Sequence, residues 1–221
     1  AQRPGPFRRQ WRGGEEIVRA DRLTIPAGQL VALTGPSGSG KSSFFRALLG
    51  ECAYKGKIRF DGQALDKMKK RQVFDRVGIV FQDPALQFVK LDVATEIAFS
   101  VKLWEEPDQR LEDLAKADRV KELLSRYSLE DKADSSPWLL SQGEQRRLAV
   151  LTMLPGVRRL LLVDEPTYGQ DMRHGVEIME TLRALTDEGI SCIFTSHDPA
   201  LVNRYADCRI VIDHGEMRRL K

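Results

Sequence analysis

The sequence predicts an α/β fold with a mostly parallel sheet, an antiparallel β region toward the N-terminus and an inserted helical subdomain. Three observations carry this reading. Short, largely apolar runs at residues 30–33, 77–81, 160–163 and 190–195 have the length and character of buried strands. The first runs straight into G-x-x-x-x-G-K-S and then into a helical pattern, which is the strand-loop-helix setting of a phosphate-binding loop. From Pro84 the character changes to apolar residues three and four apart, and this persists to Pro155-Gly156. Residues 1–83 and 158–221 are therefore assigned to the α/β core and residues 84–157 to the helical subdomain.

Residues 1–9, rich in Pro, Gly and Arg, read as a linker, and the chain begins at Ala1 as a piece of something longer would. Residues 7–25 are expected to form an antiparallel pair turned at Gly13-Gly14, with Trp11 just before the turn. The Trp11 ring has two uses open to it, stacking on an adenine or covering the end of the sheet. Pro26-Ala27-Gly28 turns the chain into the first strand. In Gly35-Pro36-Ser37-Gly38-Ser39-Gly40-Lys41-Ser42 the glycines admit left-handed or crowded backbone, so that successive N–H groups turn onto phosphate oxygens. The helix opening near Lys41 adds its positive end. Lys41 is placed to reach the β- and γ-phosphates and the Ser42 hydroxyl to ligate Mg2+, while Ser43 starts to be buried in the helix. Phe44, Phe45, Leu48 and Leu49 give that helix an apolar face that stops at Gly50. The segment defines a phosphate-loop NTPase core.

Residues 56–60 alternate like an edge strand and turn at Asp61-Gly62. The basic run Lys67, Lys69, Lys70 and Arg71 reads as a solvated helix face rather than an anion site. The strand at 77–81 presents Gln82 at its carboxyl end, where α/β sheets bind ligands, the alternative being an ordinary surface glutamine. Helices follow over 93–101 and 111–127, the second with Leu111, Leu114, Val120, Leu123, Leu124 and Tyr127 as its apolar set. Ser141 and Glu144 form a capping box that opens a helix through Leu148 and Leu151. Gly143 in its first turn costs up to about 1 kcal/mol relative to Ala, so a bare backbone there suits a second phosphate contact. The strand at 160–163 ends in Asp164-Glu165-Pro166. Beside a phosphate loop, two adjacent carboxylates fit a Mg2+ ligand followed by a base, the alternative being a solvated acidic turn. Asp171 lies in the next loop, and a helix over 172–188 carries Val176, Met179, Leu182 and Leu185 on one face. The strand at 190–195 ends at Ser196-His197-Asp198, and parallel strands deliver such ends to one edge. A hairpin, 209–213 with 217–220 about His214-Gly215, closes the chain.

Composition narrows the function classes. The 221 residues hold 35 Lys and Arg against 32 Asp and Glu, for a net charge of +3, a near balance that does not call for nucleic acid. Apolar runs of four or five residues fall far short of the ~20 that span a bilayer, so any membrane role is expected to come through a partner. Cys52, Cys192 and Cys208 lack metal-ligand spacing and suit a reducing cytosol.

The ordered set of phosphate loop, Gln82, Leu140-Ser141-Gln142-Gly143-Glu144, Asp164-Glu165, Asp171 and His197 resembles the ATP-binding cassette (ABC) ATPases over essentially the whole chain. The signature from Leu140 to Glu144 is the decisive part, although Gln142 stands where the family usually has Gly. The resemblance implies two cassettes paired head to tail, each ATP lying between the phosphate loop of one and the signature of the other. It implies that Lys41 and Ser42 bind phosphate and Mg2+ and that Asp164 supports the metal. Glu165 polarises the attacking water and His197 contacts the γ-phosphate. Gln82 links the metal site to the partner, Trp11 takes the place of the adenine-stacking aromatic, Ser141 and Gly143 offer their amides, and Asp171 touches the opposite subunit. The segments 81–88 and 165–171 look like the ATPases of energy-coupling-factor importers of vitamins and metal ions, and both chain ends suggest one half of a tandem ATPase. A transmembrane permease, docked near residues 82–95, and the cytoplasmic face of the membrane are implied with them. The rivals are an exporter or conventional importer cassette, a soluble cassette of DNA repair or translation, and a non-hydrolysing nucleotide-responsive module.

Overall fold

Strand and helix alternate as the apolar runs dictate. The computed structural model describes residues 17–20, 22–156, 158–169 and 172–220, with Met172 and Arg173 described by their backbone alone. Strand β1 (Leu30–Thr34) leads through the phosphate loop into α1 (Lys41–Leu48). A small hairpin, β2 (Arg59–Phe60) with β3 (Gln63–Ala64), precedes α2 (Lys70–Arg76) and β4 (Val77–Val80). The chain is then helical through α3 (Val93–Trp104), α4 (Leu111–Leu114), α5 (Asp118–Arg126) and α6 (Gln142–Leu151). Strand β5 (Leu160–Val163), α7 (Met172–Asp187), β6 (Ser191–Thr195), α8 (Pro199–Tyr205), β7 (Cys208–Asp213) and β8 (Glu216–Leu220) complete it.

The large sheet has the order β4-β5-β6-β1-β7-β8. Its first five strands run parallel, with Leu30 opposite Cys192 and Val163 opposite Phe194, and β8 returns antiparallel to β7. Strands β1, β5 and β6 are buried at every position, because helices cover both faces. Alternation then sorts their side chains. Leu30, Ala32, Leu161, Val163 and Phe194 join a cluster with Ile97, Leu123, Leu148 and Met179 from α3, α5, α6 and α7. Val31, Leu33, Leu160, Leu162 and Ile193 face the other way, against Phe45 and Leu48 of α1 and Val73 of α2. The helices between β4 and β5 thus share one continuous core with a face of the sheet. Each fully buried Leu or Phe here contributes roughly 1.5–3 kcal/mol.

Several elements differ from the sequence pattern. The helix expected over 111–127 is two, because Leu114 and Val120 are six apart and no continuous helix puts them on one stripe. Ala117 takes extended backbone (ψ 152°) and starts α5 in a new phase. The edge strand expected at 56–60 is only Arg59–Phe60, in a separate two-stranded sheet whose turn residues Asp61 and Gly62 both have positive φ. The strand at 77–81 ends at Val80, leaving Phe81 exposed. In the expected N-terminal strand, residues 17–20 and 22–25 hold a single parallel bridge, Arg19 with Glu216; Trp11 and the Gly13-Gly14 turn lie outside the described residues. Helix α8 has no counterpart in the sequence reading. Among the described residues no helix is long and apolar enough to cross a membrane.

Candidate active site

β1 delivers the chain to Gly35, where φ is +149° and an added Cβ would lie 2.3 Å from the Ile212 carbonyl oxygen and 2.8 Å from Ser39 Oγ. Three residues on, Gly38 has φ +77° with open space above it. The loop is closed by the Ser39 N–H donating to the Pro36 carbonyl at 3.2 Å. No side chain caps α1 and no acid occupies its first turn. Its leading N–H groups and dipole are therefore free for an anion. The Lys41 ammonium donates to the carbonyls of Gly35 (2.9 Å) and Pro36 (3.0 Å) across the loop. Ser42 is exposed and Ser43 half-buried.

On the same sheet edge, β5 ends in Asp164 and Glu165. Thr195 at the end of β6 ties them together: its hydroxyl donates to Asp164 Oδ1 at 2.6 Å and accepts the Glu165 N–H at 2.7 Å. Glu165 holds a left-handed φ of +46°, uncommon for a residue with a Cβ. Its carboxylate is 15% exposed and its Oε1 lies 3.3 Å from His197 Nε2. The pair is close but not aligned for a hydrogen bond, so Oε1 is buried without a donor. Burial pushes the Glu165 carboxyl above the usual carboxylate range and the Asp164 charge adds to this, while His197, Lys41 and Arg146 oppose it. A carboxylate raised in this way, with an unsatisfied oxygen, is a stronger base for a water proton. A cleft of 390 Å³, lined by Thr34, Gly35, Pro36, Ser196, His197 and Asp198 among others, runs from the loop to this histidine.

Gln82 is exposed just past β4. Its carbonyl accepts a hydrogen bond at 3.0 Å from Arg146, a buried side chain of α6 that also reaches the Glu165 carbonyl at 2.8 Å. The sequence reading missed Arg146; its one trace is an arginine three and four residues before the buried Ala149 and Val150 of α6. At the other end of that helix the capping box is present as expected, with the Ser141 N–H donating to Glu144 Oε2 (2.8 Å) and the Glu144 N–H to Ser141 Oγ (3.3 Å). Burial raises the Glu144 carboxyl, but the Ser141 bonds with Lys132 and Arg147 outweigh it and hold the group below its ordinary range. Ser141 and Gln142 face solvent and Gly143 is half-buried. The structure thus brings Lys41, Asp164, Glu165 and His197 together. Trp11 and Asp171 lie outside the described residues.

The donor set fits Mg2+. Ser42, Gln82 and Asp164 offer a hydroxyl, an amide oxygen and one carboxylate, all hard oxygen ligands. No cluster of three His, Cys, Asp or Glu able to hold a metal occurs among the described residues. A set this sparse suits an ion whose remaining ligands are phosphate and water.

The sequence profile of the ABC transporter family matches residues 18–168. The chain is 37% identical over 202 residues to a Bacillus subtilis (strain 168) protein provisionally named HMP/thiamine import ATP-binding protein YkoD, covering 91% of this chain and 35% of that one. It is 32% identical over 212 residues to the energy-coupling factor transporter ATP-binding protein EcfA of Methanocaldococcus jannaschii, covering 92% and 72% of the two. Among solved structures, the ATP-binding cassette MJ0796, in a dimeric post-hydrolysis state bound to ADP and Pi, superimposes with a TM-score of 0.79 at 26% identity, covering 96% of this chain and 94% of that one. The chain spans only about a third of the first relative's length. A profile that reaches from before β1 to the turn after β5 settles the family: the chain belongs to the ABC transporters, as an ATPase domain.

Proposed function

We propose that this chain hydrolyses ATP to energise uptake of a small solute, such as a vitamin or a metal ion, through a transmembrane partner at the cytoplasmic face of the membrane. The observation that carries the hydrolytic part is the half-buried Glu165 carboxylate, 3.3 Å from His197 on the edge that also carries Lys41. In this reading Lys41 leaves the Gly35 and Pro36 carbonyls for the β- and γ-phosphates. Glu165 takes the proton of the attacking water, and His197 holds the γ-phosphate. Ser42, Gln82 and Asp164 would hold Mg2+, which supplies neutralisation of phosphate charge when bound. Positioning and charge stabilisation then provide most of the rate.

The exposed signature supports a site completed by a second cassette, whose Ser141 hydroxyl and Gly143 amide close over the phosphates; the Ser141 amide expected beside them instead donates to Glu144 Oε2 at 2.8 Å. Asp171 is assigned to contact with that second cassette and Trp11 to the adenine. The segment after β4 supports a docking surface for the permease: Phe81, Leu86, Val89 and Leu91 are 41%, 75%, 61% and 84% exposed. Apolar side chains left in water at this density mark interaction sites. The helices of residues 84–157 then pass the closing motion to the partner, and the uptake of vitamins or metal ions takes its support from the likeness to EcfA and YkoD.

The experiment is size by light scattering, with and without ATP and Mg2+, on Glu165→Gln, beside its hydrolysis rate. Removing the base is expected to lower turnover by about 10²–10⁴ and to trap an ATP-dependent dimer. Full turnover in Glu165→Gln would falsify the assignment of the base. A monomer that still binds ATP would mean that the second cassette is a different chain.

A further inference from the structure

We propose that Arg146 is a positioning residue for hydrolysis, a buried fork on the signature helix that fixes the backbone of the turn carrying Glu165 and of the loop carrying Gln82. Its side chain is 3% exposed. One guanidinium nitrogen donates to the Glu165 carbonyl at 2.8 Å, and the other to the carbonyls of Gln82 at 3.0 Å and Tyr168 at 3.4 Å. All three acceptors are main-chain, so what Arg146 sets is the course of two loops and not the state of one side chain.

The geometry at Glu165 gives this its consequence. The Glu165 N–H is held by Thr195 Oγ1 from the end of β6, and its carbonyl by Arg146 from α6. The two peptide groups that flank the Cα are thereby pinned from different elements, at a residue whose φ of +46° would otherwise relax. With both flanking peptides fixed, so is the direction in which the carboxylate leaves the backbone. A guanidinium is the side chain suited to this, because its planar donors span carbonyls that a single ammonium cannot reach together. Burial draws the Arg146 pKa down while Asp83 and Glu165 oppose it. A charge kept at that cost, with its Nε also buried and unpartnered, indicates a local demand that an apolar side chain does not meet.

Arg146 sits little more than one turn beyond Ser141 on the same helix. A displacement of α6 when the signature engages phosphate therefore reaches the Gln82 and Glu165 loops through one rigid side chain. This coupling rests on the reading of Glu165 as the base.

The test compares Arg146→Lys and Arg146→Met with the parent and with Glu165→Gln, reading kcat and KM of hydrolysis per ATP-binding site. Since a misplacement of about 1 Å costs on the order of a hundredfold in rate, Arg146→Met is expected to lose ten- to hundredfold in kcat with Arg146→Lys between it and the parent. KM is expected to move by less than about threefold, because an interaction felt in the transition state changes kcat and leaves uniform binding alone.

Where Arg146→Met does not fold, Arg146→Lys decides by the same readings. Amide exchange, which needs no turnover, is expected to quicken at residues 82–83, 165 and 167–169 in Arg146→Lys while the core of α6 stays protected. Parental kcat in the folded Arg146 variants overturns the proposal, whatever the exchange rates. So does a loss that vanishes once the rate is expressed per ATP-binding site. If Glu165→Gln keeps turnover, the base assignment falls and the proposal with it; if Glu165→Gln is dead and the Arg146 variants run at the parental rate, the proposal alone falls.

Discussion

The phosphate loop and the turn after β5 lie on one sheet edge, yet they are held in opposite ways. The loop is largely its own scaffold: Lys41 bonds to carbonyls five and six residues back, Ser39 closes on Pro36, and α1 starts from the last glycine. The turn is held from elsewhere, by Arg146 at 19 residues' separation, Thr195 at 30 and 31, and through Arg146 by the loop at Gln82. A local scaffold can be written as a motif. A scaffold assembled by tertiary contact exists only once the sheet has put its strands in order, and it has no signature in any short window.

The sharpest way to break this contrast lies inside the loop itself. Gly35 is not a local residue, since a Cβ there would meet the Ile212 carbonyl of β7 at 2.3 Å, and that atom belongs to a strand paired with β1 and cannot swing aside. Gly35→Ala is expected to cost about 2–4 kcal/mol, from overpacking and a strained φ together. Gly38→Ala, with φ +77° and nothing within 4 Å, meets the conformational term alone, about 1–2 kcal/mol. Urea midpoints of the two variants without nucleotide measure the difference. Equal costs would mean that the loop is self-contained throughout.

The second test concerns the assembled turn. Thr195 is fully buried and its hydroxyl serves both Asp164 and Glu165. Thr195→Val keeps the shape and leaves a carboxylate oxygen and an N–H without partners, which is expected to cost about 1–3 kcal/mol. Hydrolysis should fall further than the loss of folded protein explains, because the Glu165 backbone is then pinned on one side only. A stability loss with kcat unchanged per folded molecule would show that the Arg146 contact suffices to hold the turn.

How much was legible in the sequence follows the same division. The phosphate loop, the Asp164-Glu165 pair, His197 and the Ser141-Glu144 box were readable because each is a short pattern at the end of an apolar run, and all four stand where such ends fall. The alternation of strands and helices was readable because both sheet faces are covered. The strand order was not, since five buried parallel strands look alike until crossovers choose their neighbours. Leu111 to Tyr127 read as one helix because spacing within each half is helical, and only the step from Leu114 to Val120 betrays the break. Helix α8 escaped notice although Asp198 before Pro199 is a helix start in which the Asp198 carboxylate accepts the Ala200 N–H at 2.8 Å. Arg146 escaped because its three partners lie in two loops far from it in sequence.

The signature tests the contrast at its weakest point, where structure is local and the proposed function is supplied across an interface. Within the chain, Ser141 Oγ accepts one N–H at 3.3 Å, at an exposed helix start that keeps its second bond from the Ser141 N–H to Glu144. Ser141→Ala should therefore cost only about 0.5–1 kcal/mol in the nucleotide-free chain, the smallest of these effects and less than Thr195→Val. ATP-dependent dimerisation should suffer far more than that figure implies, because in the proposed site the same hydroxyl would meet a phosphate held by the second cassette. Comparing the urea midpoint with the dimer fraction at saturating ATP separates the two. If both move only by the capping energy, Ser141 is a helix start and nothing else, and the phosphate contact assigned to the signature must rest on Gly143 alone.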